Sequence, residues 1–196
     1  IGDFAVIEAD VKIGNGCQIY PQVYLGTGVS VGEGTILYPG VKVYEGCLIG
    51  RNCILHAGAV IGADGFGFLP NAAGGFDKLS SFGNVVPVDE VEIGANTVIA
   101  RAKTESTVIR RGVNPANLIQ IGPNCHVGRG TRIGRGTRLY ANVTVYHDCL
   151  IGEDCILHSG AVIGADGFGF ARVKSGAWVK IPQTGRVTLG NDVEIG

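Results

Sequence analysis

Four histidines, six cysteines and a run of arginines are the residues of this chain whose types could do chemistry. Imidazole can serve as a general base or as a zinc ligand. A zinc site on facing subunits would need three converging histidines, and His56, His126, His147 and His158 show no such spacing. His56 instead falls 18 residues after Tyr38, which falls 18 after Tyr20, and His158 falls 18 after Tyr140. That spacing predicts stacking ladders on an outer face. His126 and His147 fall at outward positions in different phases. Cys17, Cys47, Cys53, Cys125, Cys149 and Cys155 all occupy the same place in a six-residue pattern. That reads as a small core residue rather than a metal ligand or a disulfide partner. Free buried thiols suit a reducing compartment, so a cytoplasmic location is expected. Arg129, Arg132, Arg135 and Arg138, with Arg110 and Arg111 before them, form either a solvated face or a docking surface for an acidic partner.

The element that positions these residues is the six-residue beat itself. Ile7, Ile13, Ile19, Leu25, Val31, Leu37, Val43, Ile49, Leu55 and Ile61 follow at strict intervals, usually with glycine next and a small or branched residue four places on. A helix of period 3.6 cannot hold such a beat on one face. Short strands separated by tight turns can, with glycine at the corners. Three sides close a triangular coil of about 18 residues, and parallel pairing stacks the coils. The chain is therefore expected to be all-β, a hexapeptide-repeat solenoid of about nine coils with a continuous core.

Two long segments interrupt the beat. The stretch "ILHAGAVIGADGFGF" at Ile54–Phe68 returns at Ile156–Phe170, 102 residues on, with Ser159 for Ala57 as its one change. Each copy then leaves the pattern, over 67–86 and over 169–188. These excess residues must protrude as loops, where function concentrates. The glycines of "GADGFGF" invite a phosphate-cradle reading, but no helix pattern follows to supply an N-terminus. A loop exit with close backbone approach is the better reading.

Composition narrows the class. Hydrophobic residues make up 45% and charged residues 17%, with a formal net charge of −1. That balance gives no case for nucleic-acid binding. No apolar run approaches the roughly 20 residues of a spanning helix. The sequence has no methionine and opens on "IGDF", which suggests a fragment, a trimmed form or a designed insert.

The combination "GAVIGADGFGF", "WVKIPQ", "GRV" and "DVEIG" resembles the UDP-3-O-acylglucosamine N-acyltransferases of lipid A synthesis. The resemblance implies a left-handed parallel β-helix and a homotrimer. It implies a hydroxyacyl donor carried on the phosphopantetheine arm of acyl carrier protein, with no other cofactor. It also implies a histidine base acting on the sugar amine, with backbone amides holding the oxyanion. In "IARAKTESTVIRRGVNPANLIQIGPNC", Asn117 and Gln120 match residues the family places near the carrier arm. Pro123 stands where the catalytic histidine is expected, and Ala100 and Ala116 stand at usual aspartate positions. Proline has no titratable group, so no catalytic residue is assigned and the mechanism lacks its base. By the same resemblance Phe168 and Phe170, with Phe66 and Phe68, either line an acyl-chain groove or pack at the loop roots.

The two copies, 1–122 and 123–196, read as one continuous β-helix spliced from two partial family members. Three functions stay open. The first is a catalytically incomplete, engineered or recombined acyltransferase scaffold. The second is an active carrier-protein-dependent N-acyltransferase with another base. The third is a non-catalytic structural or carrier-binding module.

Overall fold

A computed structural model describes every residue of the chain except Phe66. Each hexapeptide contributes a two-residue strand, and the strands stack into three parallel faces. One face runs unbroken through nine strands, from Val6–Ile7 to Glu194–Ile195. Its core rungs are Leu25, Val43, Ile61, Ile99, Ile121, Leu139 and Leu157, each in register with the next. The second face carries Val31, Ile49, Ile109, Val127, Val145 and Ile163. The third carries Ile19, Leu37, Leu55 and Ile93, then Pro115, Ile133 and Ile151. The fold is the expected left-handed parallel β-helix.

Two inward positions fill each side. The rung residue points into the core, and the residue four places on closes the corner. Leu25, Leu37, Leu55, Ile61, Ile99 and Ile121 are all fully buried. The corner position takes Val23, Val29, Val41, all six cysteines and five threonines. Thr35, Thr97, Thr107, Thr131 and Thr137 are fully buried yet satisfied. Thr35 Oγ1 donates 2.9 Å to the Gly50 carbonyl and accepts from Cys53 N at 3.1 Å. Thr131 does the same with Tyr146 O at 2.8 Å and Cys149 N at 3.3 Å. The thiols play the same donor part: Cys125 Sγ lies 3.0 Å from Tyr140 O and Cys155 Sγ 3.1 Å from Gly190 O. Threonine and cysteine are thus near-isosteric corner posts that tie one coil to the next.

The turn position between rungs is left-handed. Glycine fills it at Gly16, Gly28, Gly34 and Gly46, and Asn or Asp at Asn52, Asn96, Asp148 and Asp154. These are the residue types that tolerate φ near +60°. Leu118 adopts φ 59° there without that tolerance, and it is 56% exposed.

Both interruptions leave the solenoid as antiparallel hairpins. Phe68–Pro70 pairs with Phe76–Lys78, and Phe170–Arg172 pairs with Trp178–Lys180. The registers match after the 102-residue shift: Phe68 faces Lys78, and Phe170 faces Lys180. After the first hairpin the solenoid resumes at Asn84–Pro87, a four-residue strand paired with Ser106–Ile109.

Candidate functional site at the first loop root

Three successive coils build the root of the first loop. The strand Val60–Ala63 delivers Asp64 and Gly65 to the exit. The next coil contributes Arg101 through the strand Val98–Ala100, and Ala100 sits opposite Ala63. The coil after that contributes Pro123. A methyl group built on Gly65 would lie 2.5 Å from Pro123 Cγ, so the proline ring packs directly on this glycine. The position where resemblance expects the histidine base is therefore at the loop root.

Arg101 organises the root. It is 5% exposed. Its Nε donates 2.7 Å to the Gly62 carbonyl, and its guanidinium meets Glu45 Oε1 at 2.7 Å and the Glu45 carbonyl at 3.2 Å. Asp64 Oδ1 stands 4.0 Å away. Gly62 has φ 84° and no space for a Cβ, because Cys47 Sγ occupies it. Burial pushes the Cys47 thiol above its ordinary value, partly offset by a backbone hydrogen bond from Val85 and by Arg101. Lys78 hydrogen-bonds Asp64 and holds that carboxyl below the usual carboxylate range. The second root repeats the clamp with Lys180 on Asp166. Neither clamp residue stands out in one copy. Comparison of the two copies at 102-residue spacing would have revealed both.

The residues singled out from sequence fall in three places. Asn117 Oδ1 accepts from Ala95 N at 2.8 Å. Asp89 and Asn191 make the same coil-to-coil contact with Arg51 N at 2.8 Å and Glu153 N at 2.9 Å. Gln120 is exposed on the nine-stranded face, between Val98 and Arg138. Phe168 and Phe170 belong to the second loop, away from that coil. Their rings lie 5.1 Å apart and, with Trp178, line an open apolar cup of about 470 Å³. Phe168 is 97% exposed, so it does not pack at its root. Phe66 lies outside the described residues.

The predicted ladders are present. Tyr20 stacks on Tyr38 at 5.1 Å, Tyr38 on His56 at 5.2 Å, and Tyr140 on His158 at 5.4 Å. A glutamate ends each one: His56 Nε2 lies 2.9 Å from Glu92 Oε1, and His158 Nε2 lies 2.6 Å from Glu194 Oε1. These two imidazoles are committed to surface stacking.

The bacterial transferase hexapeptide family (six repeats) matches residues 28–63 and again 130–165, at the same 102-residue spacing. A UDP-3-O-acylglucosamine N-acyltransferase from Porphyromonas gingivalis is 61% identical over 74 residues, 38% of this chain and 21% of that protein. The chain is a scaffold that carries two blocks of hexapeptide repeats. A second N-acyltransferase, from Leptothrix cholodnii, is 59% identical over 124 residues, 63% of the scaffold and 36% of that protein. The scaffold thus spans about a third or less of the length of these relatives. Among solved structures it is similar to UDP-N-acetylglucosamine O-acyltransferase from Moraxella catarrhalis. That similarity has a TM-score of 0.59 at 20% identity and covers 97% of the scaffold and 65% of that chain. Another UDP-N-acetylglucosamine acyltransferase gives a TM-score of 0.63 at 17% identity, over 81% and 66% of the two chains. These two likenesses establish the β-helix. Among the described residues no helix is long and apolar enough to cross a membrane.

Proposed function

We propose that this chain is the β-helix scaffold of a UDP-3-O-acylglucosamine N-acyltransferase in a catalytically incomplete, recombined form. One observation carries the reading. Pro123 sits on Gly65 at the loop root, in the place that resemblance gives to the general base. A proline ring accepts no proton, so the sugar amine would stay protonated or poorly nucleophilic during attack. His56 and His158 are held in surface ladders capped by glutamates, which argues against either of these two as a substitute base. The reaction such a scaffold serves is acyl transfer from acyl carrier protein to an amino sugar in the cytoplasm. A homotrimer would bring neighbouring loops together. In that setting Gln120 faces the carrier arm, and the cup of Phe168 and Phe170 takes the acyl chain. Asn117 braces the same coil.

The direct test is an assay with an acyl-carrier-protein donor and a UDP-amino-sugar acceptor. The reading expects no turnover above a control without protein. Turnover in the unmodified chain would replace it with the reading of an active enzyme that uses another base.

A further inference from the structure

Two arginines outside the loop root share one groove. Four other arginines each face a carboxylate: Arg101 meets Glu45, Arg51 Asp89, Arg111 Glu90 and Arg135 Glu153. Among the described residues Arg110 and Arg129 have no such carboxylate. Both line a surface groove of about 490 Å³, together with His126, Gly128, Tyr146 and His147. No acidic residue lines it. The neighbouring carboxylate, Asp148, is turned to His147 Nδ1 at 2.9 Å.

Gly128 is the floor. Its coil stacks between the strands Ser106–Ile109 and Thr144–Val145. A Cβ at Gly128 would come within 2.5 Å of the Tyr146–His147 backbone. The glycine thus lets the coil of Tyr146 and His147 pack directly on its own, which brings Arg110, Arg129 and Tyr146 to one stretch of surface.

The chain contains its own control. Shifted back by 102 residues, the same frame consists of Glu8, Tyr24, Gly26, Thr27, Tyr44 and Glu45. The backbone contacts agree. Glu8 N donates 3.0 Å to Leu25 O, as Arg110 N donates 3.0 Å to Val127 O. Gly26 N donates 2.8 Å to Val43 O, as Gly128 N donates 2.7 Å to Val145 O. The floor glycine and the tyrosine wall are kept. Two glutamates and a threonine have become Arg110, His147 and Arg129, and Tyr24 has become His126. One backbone frame thus carries opposite charge in its two copies.

We infer that the groove over Gly128 binds a phosphate-bearing small molecule through Arg110 and Arg129. Guanidinium groups match phosphate oxygens in bidentate geometry, and unpaired ones require no partner to be displaced. His126 and His147 flank the two arginines, and Tyr146 offers an apolar wall to the rest of the ligand. This site lies outside the acyl-transfer reading and does not depend on it.

The test uses the full chain and two probes, inorganic pyrophosphate and glycerol 3-phosphate, at constant ionic strength maintained with chloride. The ring resonances of His126 and His147 report the groove; those of His56 and His158 report the rest of the surface. Saturable shifts of the first pair alone, with either probe, are the expected result. The Arg110→Ala/Arg129→Ala double variant should weaken binding by about tenfold or more, from the loss of two charge-assisted contacts. Both residues are exposed, and unchanged His56 and His158 resonances verify that the variant is folded. Shifts reproduced by chloride, shared equally by all four histidines, absent with both probes, or unchanged in the double variant would overturn the inference.

Discussion

Pro123 packs its ring against Gly65 across two coils, and a Cβ at Gly65 would fall 2.5 Å from Pro123 Cγ. Gly65→Ala should therefore destabilise the chain by about 1–3 kcal/mol through overpacking. With Pro123→Ala the only side-chain atom left is Cβ, which lies 3.8 Å from that point. The cost of Gly65→Ala should then largely vanish. Denaturant unfolding of the four proteins in this cycle measures the coupling. Additive effects would show that the two residues do not touch.

Arg101 should tolerate no replacement at the same root. Its guanidinium spans the Gly62 carbonyl, the Glu45 carbonyl and the Glu45 carboxylate. Arg101→Met leaves the buried Gly62 carbonyl without its donor, at a cost of about 1–3 kcal/mol. Lysine should rescue little, because a point charge cannot reproduce the fork. Thermal unfolding and proteolysis within the first loop both report the loss.

The threonine corners make a separate prediction. Thr35→Val keeps the shape but orphans Cys53 N, which donates to Thr35 Oγ1 at 3.1 Å. The variant should lose about 1–3 kcal/mol, the cost of an unsatisfied buried donor. Val41→Thr, at a corner already apolar, offers the contrast, and chemical denaturation compares the two.

Burial raises the Cys125 thiol from its ordinary 9.0 to about 11. The folded state holds the proton more tightly than the unfolded state. This contribution is therefore complete below about pH 9 and is lost as pH rises towards 11. Its size is roughly 2–3 kcal/mol, from two pKa units at about 1.4 kcal/mol each. Cys125→Ala should flatten the alkaline limb of the stability profile. Cys17, the one half-buried thiol, should react first with a thiol reagent at mildly alkaline pH.

The coil architecture was legible because one force wrote it everywhere. Each rung must bury a branched side chain, so Leu25, Val43 and Ile61 repeat the beat that the stacked faces display. The Tyr38–His56 ladder was legible for the same reason, since 18 residues return the chain to the same face. The corner cysteines were readable as core, but their hydrogen bonds to carbonyls one coil on were not. Only the stacked geometry shows that Thr35 and Cys53 share a post. Arg101 was missed because nothing in "IARAK" marks a buried cation; its partners Gly62 and Glu45 lie 39 and 56 residues away. The hairpins were missed because the loops have no strict alternation. Their register emerges from Phe68 facing Lys78 and from the lysine clamp on Asp64.

The groove at Gly128 shows how a repeated frame can diverge. Stacked coils contact mainly their neighbours, so outward residues change without cost to the core. Glu8 and Arg110 occupy equivalent backbone positions with opposite charge for that reason.

The central claim is that this scaffold lacks a general base at its loop root. A single-turnover measurement with an acyl-carrier-protein donor and a UDP-amino-sugar acceptor tests it most directly. The account predicts that N-acyl product forms no faster than in a reaction without the chain. Product formed at a rate that scales with the concentration of the chain would contradict it.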